Sequence, residues 1–188
     1  MKPFIIITGP QAVGKMAVGM SLREKYNYRL FHNHMTIELV HDLYGSLKRE
    51  YRSLVNKLRE DVFDDVVGKD LDGFVFTYMW GFNLESEYIY INNLIERFES
   101  KGWTVTIVEL EADVDTRLER NKSELRLKEK KTKRNIEWSD KELVQSMDKY
   151  RLNSNPGEIT HPSYLRINNT NLEPDEVADQ IYNYIQKR

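Results

Sequence analysis

The chain has 188 residues, enough for one domain with a complete hydrophobic core, and we expect residues 1–188 to form a single unit. It has no cysteine, which excludes disulfides, thiolate metal sites and cysteine nucleophiles. Because its N-terminus also lacks a long apolar segment, we expect a cytoplasmic protein without a membrane partner. The net charge of −2 argues against a general nucleic-acid binder, because such domains are usually strongly basic.

The N-terminal segment combines a strand, a glycine-containing loop and a helix. The apolar run Phe4–Ile7 predicts a strand that ends at Thr8, and apolar residues at a spacing of four predict a helix over Lys15–Lys25. Between them, residues 9–15 read Gly-Pro-Gln-Ala-Val-Gly-Lys. The spacing Gly-x4-Gly-Lys is that of a phosphate-binding loop (P-loop, or Walker A motif), in which glycines let backbone N–H groups face an anion.

This motif predicts ATP binding. Lys15 opens the helix, so the β- and γ-phosphates would meet its ammonium group and the positive end of the helix dipole. We assign a catalytic role to Lys15 and nucleotide contacts to Gly9, Pro10, Gln11, Ala12, Val13, Gly14, Lys15, Met16 and Ala17. The alternative is an ordinary turn, which requires the strand, loop and helix patterns to coincide by chance.

The position after Lys15 departs from the motif. Ser or Thr usually stands there and binds Mg²⁺ through its hydroxyl, but this chain has Met16. Magnesium retains several waters and is bound largely by substrate phosphates in such sites. We therefore expect Mg²⁺ to be held by phosphates and water, and we assign it no protein ligand.

Strand and helix patterns alternate along the rest of the chain. They predict strands at Leu30–His32, Gly73–Tyr78, Val105–Leu110 and Tyr164–Ile167. They predict helices over residues 35–67, with a break at Gly45-Ser46, over Glu85–Lys101 and from Pro174 onward. Gly102 is expected to end the second of these helices in a left-handed conformation. A charged helical stretch reaches Arg134, and Ser139-x-x-Glu142 predicts a capping box that opens a helix ending at Tyr150. This order predicts a parallel sheet covered on both faces, with a ligand at the carboxyl ends of its strands.

Basic charge is concentrated in residues 117–134, which hold nine Lys or Arg against three Glu. A local basic cluster in an otherwise acidic chain suits a small polyanion such as ATP. For residues 128–134 the alternative is a solvated helix face without a ligand.

The P-loop, the helical segment 35–67, the arginines after the fourth strand and the closing strand and helix resemble the small P-loop kinases. These include nucleoside monophosphate kinases, shikimate kinase, gluconate kinase and chloramphenicol phosphotransferase. The resemblance implies an α/β, three-layer P-loop NTPase fold with a five-stranded parallel sheet. It also implies that residues 35–67 bind the acceptor and residues 113–150 form a lid over ATP. The expected activity is that of an ATP-dependent kinase, with a nucleotide and a small-molecule acceptor as partners.

By the same resemblance, Arg117 and Arg120 contact the nucleotide or stabilise the transition state, because their planar forks suit phosphate oxygens. The alternative for Arg117 is a surface ion pair with Asp113. Some related kinases carry an acid at the end of the third strand that holds a water of magnesium, and Thr77 stands at this position here. Met16 and Thr77 motivate a second hypothesis, a nucleotide-binding regulatory or sensor protein with weak or no phosphoryl transfer.

The sequence His32-Asn33-His34 ends the second strand, where shikimate and gluconate kinases place an acid that contacts the acceptor. His32, Asn33 and His34 are therefore predicted acceptor contacts, together with Trp80 overhanging the cleft. For catalysis, His34 and Glu38, which are one helical turn apart, are alternative general bases. The competing interpretation is that the histidines cap a sheet edge and the tryptophan belongs to the core.

Three arginines of the helical segment also have two interpretations. Arg49, Arg52 and Arg59 would bind a phosphate on the acceptor, as arginines do in nucleoside monophosphate kinases, or lie on a solvated helix face. Because no local motif accompanies them, we favour the solvated face and predict only an unidentified small-molecule acceptor.

Overall fold

A computed structural model describes residues 2–45 and 48–188, without the side chain of residue 49. Within these ranges, five strands, β1 to β5, span Lys2–Thr8, Arg29–His32, Phe74–Thr77, Trp103–Glu111 and Tyr164–Asn168. Eight helices of the described chain, α1 to α8, span Lys15–Tyr26, His34–Tyr44, Arg52–Val66, Glu85–Glu99, Val114–Asn121, Glu124–Glu129, Ile136–Lys149 and Pro174–Gln186. Short 3₁₀ turns at Arg49–Tyr51 and Lys131–Lys133 precede α3 and α7.

The described strands form one parallel sheet in the order β2-β3-β1-β4-β5. β1 lies at its centre, where Ile6 pairs with Phe76 of β3 and with Ile107 of β4. Residues 4–7 of β1 are fully buried, as expected for a strand that is covered on both faces. The predicted parallel α/β sheet is therefore confirmed.

Alternation along β1 divides its side chains between two cores. Phe4 and Ile6 pack in the core shared with α3 and α4, whereas Ile5 and Ile7 pack in the core shared with α1 and α8. Helices therefore cover both faces of the sheet and complete three layers. In the described residues, no helix is long and apolar enough to cross a membrane.

The carboxyl ends of the strands bring several connections to one edge of the sheet. β1 leads into the loop 9–14, β2 into Asn33, β3 into Tyr78 and β5 into Asn169. The helices α5 to α7 follow β4 from the same edge. In open α/β sheets this edge is where ligands bind.

One predicted helix start is wrong. α7 begins at Ile136, because the side chain of Asn135 caps it by accepting a hydrogen bond from the N–H of Trp138. Ser139, expected to open the helix, is instead buried inside it and exchanges hydrogen bonds with Asn121 of α5. The capping pattern was misleading because a tertiary partner takes the serine hydroxyl.

The glycines predicted at helix ends have left-handed backbone angles. Gly102 follows α4 with a φ of 80°, and Gly45 ends α2 with a φ of 67°. The remainder of the predicted break, Ser46 and the following Leu47, lies outside the described residues.

A buried carboxylate fastens β4 to the loop before β5. Glu109 is fully buried, and its Oε1 accepts hydrogen bonds from the Nδ2 of Asn153 and the N–H of Ser154, both at 2.8 Å. Its Oε2 accepts from the Ser154 hydroxyl at 2.5 Å and the Tyr164 hydroxyl at 2.7 Å. Burial alone would raise the pKa of Glu109, but these hydrogen bonds outweigh it and lower the pKa.

We expect Glu109→Gln to lower the free energy of unfolding by roughly 2–4 kcal/mol at pH 7. Each carboxylate oxygen accepts two hydrogen bonds, and the amide nitrogen that replaces one of these oxygens is itself a donor and accepts none. The stabilisation comes from the ionised form, so it is present above the ordinary carboxyl pKa of 4.5 and is lost as the pH falls through the lower folded-state value. Urea denaturation at pH 7 and in acid tests both expectations. Glu96→Gln, at an exposed position of α4, is the control, and equal losses in the two variants would contradict the assignment.

Candidate functional site

The loop between β1 and α1 turns around the side chain of Lys15. Gly9 has a φ of 134°, and a Cβ at this position would lie 2.4 Å from the carbonyl oxygen of Leu110, so only glycine fits. Gly14 has a φ of 108° and is the N-cap of α1. The Nζ of Lys15 donates to the carbonyl oxygens of Gly9 at 2.5 Å and Pro10 at 2.7 Å. The ammonium group is thereby held inside the loop, next to the N-terminus of α1.

A cavity of about 810 Å³ lies beside this loop, a size that ligand sites commonly have. Its lining includes residues 11–18 of the loop and α1, residues 32–34 at the start of α2, and residues 77–79 after β3. Residues of the lid segment 113–150 and residues 172–174 complete the wall. The fold thus gathers five distant parts of the chain around one space.

The cavity wall is strongly basic. Its cationic side chains are Lys15, Arg52, Arg120, Arg126, Lys130 and Lys133, and its described acids are Glu142 and Glu173. Glu142 forms an ion pair with Lys133. Burial, reinforced by Lys130 and Arg126, lowers the pKa of Lys15 well below its ordinary value. A polyanion in this cavity would supply the negative charge that the wall lacks.

Two guanidinium groups of the lid segment have unused donors. Arg117 is 4% exposed and Arg126 is 8% exposed, yet the Nη2 of Arg117 and the Nε of Arg126 have no hydrogen-bond partner among the described residues. Of these two arginines, Arg126 lines the cavity. A buried donor without an acceptor is costly, and phosphate oxygens are suitable acceptors for its guanidinium group. The residues present therefore fit a nucleoside triphosphate.

His34 lines the cavity and is hydrogen-bonded to a glutamate one helical turn further along α2. The Nδ1 of His34 lies 3.0 Å from the Oε1 of Glu38, and the side chains are 16% and 12% exposed. Burial lowers the pKa of His34 below its ordinary value of 6.5, so its imidazole is neutral at pH 7. Burial would raise the pKa of Glu38, but hydrogen bonds from His34 and Thr132 outweigh it and lower the pKa, so the carboxylate is ionised. The ionised Glu38 can only accept, so the neutral ring carries its proton on Nδ1 and leaves Nε2 as an acceptor.

No family profile and no curated protein sequence matches the chain. Several solved structures do match it in fold. They include a presumed kinase from Chloroflexus aurantiacus, with 16% identity over 99% of this chain and 97% of that protein and a TM-score of 0.66. A gluconokinase from Sinorhizobium meliloti shows 13% identity over 98% and 92% of the chains, with a TM-score of 0.60. A shikimate kinase from Acinetobacter baumannii shows 15% identity over 100% and 94%, with a TM-score of 0.58.

This chain has the fold of the small P-loop kinases. The predicted three-layer P-loop fold is thus confirmed, and the loop 9–15 occupies the place of the P-loop after the central strand β1. Of the predicted nucleotide contacts, residues 11–17 line the cavity. Gly9 and Pro10 do not line the cavity. Their carbonyl oxygens instead accept hydrogen bonds from the Nζ of Lys15.

The two predicted lid arginines both contact the P-loop. The Nε of Arg117 donates to the carbonyl oxygen of Gln11 at 2.9 Å, and its burial rules out the alternative of a surface pair with Asp113. The Nη1 of Arg120 donates to the carbonyl oxygen of Val13 at 3.2 Å. Arg120 also lines the cavity and bonds to the connection after β5, where its Nη2 lies 2.8 Å from the carbonyl oxygen of Asn169.

The predicted acceptor residues separate into two groups. His32, Asn33 and His34 line the cavity together. Trp80 instead is 3% exposed and packs against Phe82 in the core, with ring centroids 4.6 Å apart. The predicted acceptor contact of Trp80 is therefore corrected to core packing, because the chain after β3 turns this side chain away from the P-loop cavity.

The predicted solvated arginine face is also corrected. Arg59 is 7% exposed, lies over the rings of Phe76 and Tyr78, and donates through Nη2 to the Oδ1 of Asn33 at 2.5 Å. Arg52 is exposed, as the predicted solvated face requires, but it also lines the cavity. The side chain of Arg49 lies outside the described part of the chain.

Two positions in or near the cavity bear on the predicted binding of Mg²⁺. Met16 is 7% exposed and lines the cavity at the position where the P-loop usually provides a hydroxyl. The hydroxyl of Thr77 accepts a hydrogen bond from the N–H of Asn33 at 3.2 Å. In the described ranges, no group of three or more His, Asp or Glu side chains is arranged to hold a metal ion.

Several cavity residues were missed by the sequence analysis, among them Arg126, Lys130, Thr132 and Asn169. Three of them lie in the basic stretch, which was interpreted only as a charge cluster. The spacing of four between Arg126 and Lys130 is the sequence signal that separates them from the exposed Lys128, although α6 ends at Glu129 and Lys130 follows it with non-helical backbone angles. Asn169 carries no local signal, because its contact with Val13 spans 156 residues.

Proposed function

We propose that the protein is an ATP-dependent kinase that phosphorylates a hydroxyl group of a small molecule. The observation that carries this proposal is the placement of Lys15 and His34 on the wall of one basic cavity. Lys15 belongs to the P-loop, where phosphates bind, and His34 presents an imidazole nitrogen that can accept a proton. The cavity therefore contains a phosphate site and a base within a single space.

Each group has a defined part in this reaction. The P-loop N–H groups and Lys15 bind the β- and γ-phosphates, and Arg120, Arg126 and Lys130 stabilise charge on the transferring group. The acceptor oxygen forms a bond to the γ-phosphorus as the bond to the ADP oxygen breaks. The acceptor proton passes to the Nε2 of His34, where Glu38 stabilises the imidazolium. Mg²⁺, bound by phosphates and water, would add charge neutralisation.

Asn169 supports a preference for ATP over GTP. Its Nδ2 donates to the carbonyl oxygen of Val13 at 2.8 Å, and its buried Oδ1 has no partner among the described residues. Asn169 lines the cavity, so a base that turns an amino group on its six-position toward this edge would satisfy the free acceptor. Adenine has an amino group at this position, whereas guanine has a carbonyl oxygen there and carries its amino group on the two-position.

Calorimetric titration with ATP and GTP, with and without Mg²⁺, tests the nucleotide site. Transfer of labelled γ-phosphate to a panel of small hydroxyl compounds then tests the chemistry. We expect micromolar ATP binding that Mg²⁺ strengthens, and transfer to at least one acceptor class. Failure to bind ATP would contradict the proposal.

The second candidate function is a nucleotide-binding sensor, and Met16 is the observation that favours it. A buried thioether replaces a magnesium ligand at this position, which weakens the metal site without removing the phosphate cradle. A sensor would bind ATP equally well without Mg²⁺ and would transfer phosphate to no acceptor in the panel.

ATP binding is expected to take up a proton near pH 7.5, because Lys130 lies in the cationic wall. Burial, together with Arg126 and Lys133, lowers the pKa of Lys130 to about 7. A bound polyphosphate favours the charged ammonium and raises this pKa, so ATP affinity should fall as the pH rises above 7. Calorimetry in buffers of different ionisation enthalpy should show uptake of roughly half a proton. Lys130→Met should reduce the uptake, and an unchanged value would contradict the assignment.

A further inference from the structure

The predicted lid segment contacts helix α2 through Thr132 and Lys131. The Oγ1 of Thr132 donates to the Oε1 of Glu38 at 2.6 Å, and its N–H donates to the Oε2 at 3.2 Å. A second contact lies beside it, where the Nζ of Lys131 is 2.5 Å from the Oδ2 of Asp42. Both contacts join the 3₁₀ turn Lys131–Lys133 to α2, about 90 residues away in sequence.

These contacts decide between the two candidate bases. Both oxygens of Glu38 are occupied by Thr132, and Oε1 also faces the Nδ1 of His34 at 3.0 Å. A carboxylate whose two oxygens are both engaged in this way is less available to a substrate hydroxyl than an imidazole nitrogen that faces the cavity. Glu38 is therefore better placed to orient His34, in the way that a carboxylate orients the histidine of a catalytic triad.

We propose that Thr132 is a positioning residue that couples lid closure to the orientation of His34. When the lid lies over the nucleotide, the Thr132 hydroxyl fixes the Glu38 carboxylate, and the carboxylate fixes the Nδ1–H tautomer of His34 with Nε2 free for the acceptor. When the lid moves away, Glu38 loses two hydrogen bonds and His34 loses its fixed orientation. This inference rests on the proposed kinase function.

The consequence is a base that is assembled only in the closed enzyme. Kinases of this type must transfer phosphate to the acceptor and not to water, and lid closure excludes water from such sites. Coupling the base to the lid would reduce hydrolysis of ATP further, because an open enzyme with bound ATP would have no oriented base to activate water. The charged groups that act on His34 are Glu38 of its own helix and Lys130 and Lys133 of the lid segment.

Thr132→Val tests this coupling, because valine has the shape of threonine and keeps the backbone N–H but lacks the hydroxyl. With acceptor present, we expect kcat to fall about tenfold or more, as for the loss of a hydrogen bond to a charged group, while ATP affinity stays near that of the wild type. Thr132→Ser should restore most of the rate. In the control Lys131→Met, the ion pair with Asp42 is lost but Glu38 keeps its partners.

Nitrogen chemical shifts of the His34 ring give a readout that does not depend on turnover. In the protein saturated with a non-hydrolysable ATP analogue, we expect protonated Nδ1 and unprotonated Nε2. Thr132→Val should mix the two tautomers, and Lys131→Met should not. An unchanged tautomer in Thr132→Val, or equal effects of the two variants, would overturn the coupling. If the wild type binds ATP but phosphorylates no acceptor, the kinase proposal fails while the ring shifts still decide the coupling.

Discussion

Lys15→Met is expected to weaken ATP binding by at least about a hundredfold and to abolish phosphoryl transfer. The ammonium group is the one cation that the P-loop itself holds, through the carbonyl oxygens of Gly9 and Pro10. Its charge-assisted bonds to phosphate oxygens are each worth about 1.5–3 kcal/mol, and two such bonds account for a hundredfold change. Methionine fills a similar volume, so the expected loss comes from the charge.

The measurement is a calorimetric titration of ATP into the wild type and the variant, with circular dichroism as the check of folding. Because Lys15 is buried among cations, removing its charge relieves repulsion, and we expect the variant to be no less stable than the wild type. Lys101→Met is the matched control, since Lys101 is exposed and lies before β4, at the opposite edge of the sheet. Wild-type ATP affinity in Lys15→Met would exclude the loop as the nucleotide site.

His34→Asn is expected to lower kcat by roughly 10²–10⁴-fold, the usual contribution of a general base, and to leave ATP affinity close to that of the wild type. Asparagine keeps a polar group next to Glu38 but cannot take up a proton at neutral pH. His161→Gln is the control, because His161 bonds to the backbone of Ser163 at a distant surface. A small effect on kcat with a large rise in KM would assign His34 to acceptor binding instead.

The pH dependence of the wild type provides an independent check on His34. Burial lowers the pKa of His34 below its ordinary value, so the neutral form that accepts a proton persists below pH 6.5 and is lost only at more acid pH. We therefore expect kcat to show no descending limb from His34 near pH 6.5. A descending limb centred near pH 6.5 that disappears in His34→Asn would show an exposed imidazole and contradict the buried arrangement.

Local patterns determined most of the scaffold. The apolar run before Gly9, the loop spacing and the helical pattern after Lys15 are all contained within about 25 consecutive residues, so the order of strand, loop and helix was predictable. Strand positions were predictable to within two residues, because buried parallel strands are continuous apolar runs. The fold followed from the alternation of these elements.

Side-chain environment was less predictable. Arg59 and Trp80 have the sequence context of a surface helix and a loop, yet both are buried, because their burial depends on which elements pack beside α3 and β3. Ser139 carries a capping pattern but bonds to Asn121 of a neighbouring helix. In each case a partner distant in sequence outweighed the local preference.

The sequence by itself determined that this protein has a P-loop at the carboxyl edge of a parallel sheet, because that motif depends on backbone conformation and residue spacing. Only the tertiary structure supplied the contacts on which the proposed roles of Glu38 and His34 rest. Their spacing of four residues made both equal candidates, and the contact that separates them comes from Thr132, 94 residues away. Hydrogen bonds across such distances depend on how the lid packs on α2, which no local pattern specifies.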